Sequence, residues 1–331
     1  MADYLINFKT WNQAGTISVG SSITYNEYTP DLDEKNLYVG CVATATSQVL
    51  YYWGSMQNSY GMSLTVSSLE LNGSDYFFLN SNYSTPIYGS SYSTYGFLSF
   101  PEVNNKLQDM QYDFDPDEIA ALSFAVGVKV HSNYKDFSYG TGATLENARD
   151  FLFDAGFSEA TYVEDFDWYY YVDGEDLVTS STFDLHAALV DDITQGMVVL
   201  AGVNDAYGGG HAIVVDGYDE ENDLFHFNMG WGNGHDVWNP LSDLPYDYVY
   251  MSALVYNIAP TDFDGWGDHV PPSVPTDLVD EVTDDDVSLD WSDSTDELSG
   301  ISSYLVQYST SSLFLSVVSR IVTASELAIY D

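Results

Sequence analysis

The chain has 331 residues, 45% of them hydrophobic, with 28 Tyr and 17 Phe, which is material for two domains or for one large domain with an appendage. It carries 51 acidic against 7 basic side chains, a formal charge of −44, and the acids are scattered along the chain. Such a surface repels nucleic acid and anionic bilayers, which excludes both as expected partners, and no apolar run approaches the roughly 20 residues of a membrane span.

Self-repulsion on this scale costs stability unless salt screens it, so the composition points to an extracellular or salt-rich setting. The single cysteine, Cys41, excludes an internal disulfide and leaves cysteine usage silent about compartment. Met1-Ala2-Asp3-Tyr4-Leu5 lacks the basic and apolar regions of a signal peptide, so for a secreted protein the export signal is expected outside this sequence.

In chain order, residues 1–40 are punctuated by Gly, Ser, Asn and Pro and read as irregular. From Gly40-Cys41-Val42-Ala43-Thr44-Ala45-Thr46-Ser47-Gln48 through Trp53 the residues are small or apolar, which predicts a buried helix with the thiol in its first turn and a stop at Gly54. A helix N-terminus favours an anion, so a lowered thiol pKa is expected there. A lone cysteine is also often a small buried hydrophobe, and Cys41 by itself decides nothing. Residues 55–114 read as loops with short extended pieces. Asp115-Pro116-Asp117-Glu118 is a helix start, with a cap, a proline at the first position and a capping box. Further helices are predicted from about Thr144 to Ala155 and from Leu185 to Gln195. The period then changes to strands at 197–203, 211–218, 224–229 and 248–258, with a turn at 219–223. The expected fold class is α+β, helices in front and an antiparallel sheet behind.

A thiolate attacking an amide needs a base, a group to orient that base, and an oxyanion donor. His211 is the best base among six histidines, because it opens a strand behind Gly208-Gly209-Gly210. Asn228 ends the paired strand and is expected near His211, where it can hold the imidazole tautomer. Gln13 can supply a side-chain N–H to the oxyanion.

The Cys41 block, then Gly210-His211-Ala212-Ile213-Val214-Val215-Asp216-Gly217, then His226-Phe227-Asn228-Met229-Gly230-Trp231-Gly232, resemble the streptopain family of papain-clan cysteine peptidases over roughly residues 8–260. The resemblance implies a papain-like fold, one helical lobe bearing the cysteine and one sheet lobe bearing the histidine. It implies endopeptidase activity on protein or peptide substrates, no cofactor and no metal. Carried over residue by residue, Cys41 is the nucleophile, His211 the general base and acid, Gln13 the oxyanion donor and Asn228 the orienting group. Trp231 shields that contact, and Gly40 and Gly208–Gly210 border the cleft, the latter in a flexible loop. A preference for an apolar side chain just before the cleaved residue is likewise implied. This sequence departs from the family in having Met229 where a tryptophan usually follows the asparagine, and in an apparent insertion from Thr16 to Thr24. The family's inhibitory prodomain is not visible in it.

Past Pro260 the composition shifts, giving a peptidase domain at 1–260, an acidic and Pro-rich linker at 261–275 and a segment at 276–331. Leu278, Trp291 and the Tyr304-to-Tyr308 strand resemble a fibronectin type III module, too short for the roughly 90–100 residues of a complete sandwich. Contact with extracellular matrix or cell surface is the expected role of that module. Asp262 to Asp268 reads as an acidic linker more readily than as a calcium loop, and His226 as packed in or beside the sheet. Two other readings stay open: a papain-like amidase or acyl transferase, and a non-catalytic binding protein on the same fold.

Overall fold

A computed structural model describes residues 4–6, 11–13, 15, 17, 22–32, 35–60, 69–79, 85–108, 110, 112–135, 140–164, 183–232, 234–261, 263, 276–282, 287–292, 303–308 and 318–323. The chain divides into two compact units, Met1–Phe263 and Asp264–Asp331.

In the first unit the chain opens with the short antiparallel pair β1 (Asp31–Leu32) and β2 (Lys35–Asn36) and enters α1 (Cys41–Tyr60). Val42 to Trp53 are all buried, including the polar Thr44, Thr46, Ser47 and Gln48. The small residues let the helix lie close to its main neighbours, α4 (Pro116–Lys129) and β8 (Gly210–Asp219). Val49, Leu50, Tyr52 and Trp53 are almost fully enclosed, and each such side chain stabilises by about 1.5–3 kcal/mol. The predicted stop at Gly54 is overturned, because α1 runs six residues further, to Tyr60. Gly54 serves close packing instead: the ring of Tyr112 occupies the space a Cβ would need.

The stretch expected to be loops with short extended pieces holds such pieces in β3 (Tyr76–Leu79) and β4 (Pro86–Tyr88), and beyond that expectation the single turn α2 (Tyr92–Tyr95) and the helix α3 (Phe100–Leu107). The signal for α3 was present: Pro101 lies in the first turn, and Ser99 Oγ donates to the Glu102 carboxylate. Asp115 caps α4 as predicted, accepting from the N–H groups of Asp117 and Glu118. The chain continues through β5 (Asn133–Tyr134), parallel to β3, into α5 (Leu145–Asp154), capped by Thr144, and β6 (Thr161–Glu164). Helix α6 (Leu185–Thr194) is capped by Asp184 and precedes β7 (Val199–Asp205). After β8 come β9 (Leu224–Asn228), β10 (Val237–Asn239) and β11 (Tyr248–Tyr256).

These strands form one sheet in the order β10-β9-β8-β7-β11-β6, with every pair antiparallel. On β7, Val199, Ala201 and Val203 join Leu185, Leu189 and Ile193 of α6 in one apolar cluster. Gly202, on the alternate face, meets Leu145 of α5. Burial on both faces is why β7 reads as a continuous apolar run. The expected fold class, α+β with a helical portion and an antiparallel sheet, is what the chain adopts.

Residues Tyr4–Ile6 are zipped onto β8 where its pairing with β9 is irregular, between Val215 and Gly217. Leu5 N–H donates to the Asp216 carbonyl at 2.7 Å and Ile6 N–H to its carboxylate at 3.2 Å. The same carboxylate bonds His226 at 2.6 Å, so His226 is a buried sheet residue, as expected.

In the second unit, β12 (Thr276–Val282) pairs antiparallel with β13 (Val287–Ser292), and β14 (Ser303–Tyr308) with β15 (Val318–Thr323). Apart from Phe263, the acidic run 262–268 lies outside the described residues.

Candidate active site

Cys41 opens α1 and His211 is the second residue of β8, and both line one cleft of about 360 Å³. Gly40 makes the entry to α1 possible. Its φ of +95° is open to glycine, and a Cβ there would sit 2.7 Å from the Thr141 carbonyl oxygen. Its own carbonyl accepts from the Thr44 N–H and hydroxyl, at 2.9 and 2.8 Å. The cleft wall at Thr141, Gly142 and Ala143 is held by backbone bonds between Asn133 and Gly142.

Cys41 as a residue is half-buried, but its thiol is enclosed, and that burial raises the thiol pKa above the ordinary value. Backbone N–H groups of Ala212, Val42 and Cys41 itself act in the other direction and are outweighed. The expectation of a lowered thiol pKa is therefore corrected: the helix end supplies its N–H groups, but desolvation is larger. Burial likewise lowers the pKa of His211, partly offset by its hydrogen bond to Met229. Each direction favours the uncharged form of its own side chain.

The His211 Nε2 atom lies 2.8 Å from the Met229 carbonyl oxygen. A carbonyl only accepts, so Nε2 carries the hydrogen and Nδ1 is left with the lone pair. Trp231 stacks on the imidazole at 4.8 Å and Tyr248 at 5.9 Å, and the two aromatic rings lie 6.4 Å apart, closing a cluster of three.

The expected contact between Asn228 and His211 is replaced by this arrangement. β8 extends further from the 219–223 turn than β9 does, so Asn228 pairs with Val214 and His211 with Val203. The Asn228 amide donates to Gln48 of α1 at 3.1 Å and accepts from Gly230 N–H at 3.2 Å. Gln13 is half-buried and follows Asn12, whose backbone bridges Trp231, while Gly232 N–H donates to the Trp11 carbonyl at 2.9 Å. Gly210 lines the cleft; Gly208 and Gly209 belong to the adjoining turn. That turn is pinned by Asp205, whose carboxylate accepts from Tyr207 and Gly209 N–H at 2.7 and 2.8 Å.

Three features escaped the sequence reading: Tyr248, Lys135 and the Thr141–Ala143 wall. Tyr248 has its phenol pushed up to about 12 by burial, then by Cys41 and Asp205 nearby. Lys135 lies on the cleft although basic residues are scarce, and that scarcity was the available signal. Among the described residues no cluster of His, Cys, Asp and Glu could hold a metal ion, and no helix is long and apolar enough to cross a membrane.

A helix and a sheet bring Cys41 and His211 to one cleft, and a solved cysteine protease structure shares this fold. Active wild-type interpain A cysteine protease of Prevotella intermedia aligns with a TM-score of 0.52 and 20% identity, over 77% of this chain and 93% of that one. A fragment of prointerpain A from the same organism aligns with a TM-score of 0.50 and 21% identity, over 78% and 72%. Residues 20–238 match the profile of the Peptidase C10 family, and the chain belongs to that family. It is a cysteine-type endopeptidase. No curated protein matches the sequence.

Proposed function

We propose that Cys41 is the nucleophile and His211 the general base and acid of this endopeptidase, which acts outside the cell on protein substrates. The observation that carries the assignment is the convergence of Cys41, its neighbouring backbone N–H groups and His211 on one cleft. Met229 leaves Nδ1 of His211 free to take the thiol proton as sulfur attacks the scissile carbonyl carbon. The oxyanion formed is met by the Gln13 side chain and by N–H groups at the start of α1. His211 then returns its proton to the leaving amine, and water hydrolyses the thioester with His211 again as base. Asn228 orients the imidazole at one remove: it fixes the 228–230 turn that presents the Met229 carbonyl. Trp231 covers the ring and keeps water from that bond. Export fits the acidic surface, which stays soluble and repels anionic partners. The segment 276–331 is a fibronectin-like appendage for surface or matrix contact, consistent with its antiparallel strand pairs.

The test is mass spectrometry after iodoacetamide treatment, run beside casein digestion. A single cysteine leaves no doubt about the labelled site. Labelling of Cys41 and proteolysis should both fall in His211→Ala, and proteolysis should vanish in Cys41→Ala. Gln13→Ala should lose about 10²–10³ in rate. Full proteolysis by Cys41→Ala would end the assignment.

A further inference from the structure

We propose that Lys135 makes the cleft selective for a substrate residue with an acidic side chain. This rests on the peptidase reading above and names a substrate class for it.

The charge pattern carries the inference. The chain has 51 acidic residues and 7 basic ones, yet among the described residues no Asp or Glu lines the cleft, and Lys135 does. Other basic side chains are spent elsewhere: Lys106 pairs with Asp117, Lys129 with Asp75 and Arg149 with Asp150. Lys135 takes part in none of the described ion pairs. Its backbone position is fixed on one side by β5, where Tyr134 is fully buried, and by the Asn133–Gly142 bonds that close the loop carrying it. The rest of the wall accepts a side-chain stem: Leu145, Val203, Ala212 and Ala253 are apolar, and Gly202 leaves its floor open. A glutamate fits both halves, its methylenes on the apolar wall and its carboxylate at the ammonium. A positive group on the cleft of a −44 molecule also attracts an acidic peptide locally, where the acidic surface at large repels it. Beyond about 10 Å the general repulsion is screened at 0.1 M salt, whereas contact with a half-buried lysine is not.

The experiment compares kcat/KM for paired peptides that differ only by Glu or Gln, the pair being moved one position at a time along the substrate, at 0.15 M NaCl. The intact chain should favour Glu at one position by about fivefold, the scale of a partly exposed ion pair. Lys135→Arg should keep the preference, Lys135→Met should bring the ratio to about one, and Lys135→Glu should invert it. Because the ratio is internal to each variant, a general loss of activity does not mimic the effect. Peptides cleaved with a Glu-to-Gln ratio near one at every position, or a preference unchanged in Lys135→Met, would overturn the proposal and leave the peptidase reading intact. That includes the case in which Asp136, the next residue in the sequence, neutralises the lysine. Hydrolysis of neither peptide, with Cys41 inert to iodoacetamide, would overturn both.

Discussion

Gly40→Ala tests whether the entry to the Cys41 helix is as tightly specified as its geometry states. Gly40 has φ +95°, where an L-residue costs about 1–2 kcal/mol. Its new Cβ would lie 2.7 Å from the Thr141 carbonyl oxygen and 3.0 Å from Thr141 Cβ and Cγ2. The nearest obstacle is backbone, held in a bonded wall, so relief requires the wall or the helix to move by a substantial fraction of an ångström. Overpacking of that kind adds about 1–3 kcal/mol, giving about 2–5 kcal/mol in all. Gly156→Ala is the internal control, because Gly156 has φ +96° with nothing within 4 Å of an added Cβ. It should cost only the conformational part. Urea unfolding followed by tryptophan fluorescence measures both variants. The displacement also shifts Cys41 against the cleft wall, so kcat/KM should fall by at least about tenfold in Gly40→Ala. Equal stabilities for the two variants would refute the reasoning, since the contact with Thr141 would then count for nothing.

Two further outcomes follow from buried groups. Asp192 is almost fully buried, accepts from Asn257 N–H at 2.6 Å, and has its carboxyl pushed up from 3.8 to about 7 by burial. The folded state therefore holds this proton more tightly than the unfolded chain, and its contribution is full below about pH 4 and lost as pH rises toward 7. Asp192→Asn should flatten that fall, which amounts to about 4 kcal/mol at most, in a series of Tm values from pH 4 to 8. An unchanged pH profile would remove Asp192 as its cause. At the cleft, raised Cys41 and lowered His211 pKa values predict that alkylation of free enzyme by iodoacetamide accelerates from pH 6 to 9. A rate flat from pH 5 to 8 would mean a preformed ion pair and contradict the uncharged resting state.

The elements that carry the site were legible where local chemistry and burial agree. Cys41 starts a helix because a glycine able to take positive φ precedes it and small residues follow, and both facts stand in the sequence. Asp115, Thr144 and Asp184 each mark a helix start by capping, and the first two were read at their helix starts. Gly54 was misread because a stop signal and a close ring contact use the same residue, and only the partner, Tyr112, distinguishes them. The imidazole's partner was illegible for a different reason. It depends on how far β8 outruns β9, and the receiving atom is a backbone carbonyl, which any residue at position 229 would offer. Likewise, Lys135 reaches the cleft only through long-range pairing of Asn133 with Gly142 and Leu79 with Tyr134.

The strand order also sets a schedule for biosynthesis. β11 is the last strand of its sheet to be translated, yet it lies between β7 and β6 and contributes Ser252 and Ala253 to the cleft. Until the ribosome has released residues through about 256, β7 has an open edge and the cleft lacks a wall. A nascent or prematurely terminated chain therefore carries the thiol and the imidazole without the groove to present a peptide to them. Closure of the cleft is thus tied to the arrival of β11, and a chain cut before Tyr248 would leave that edge of β7 unpaired.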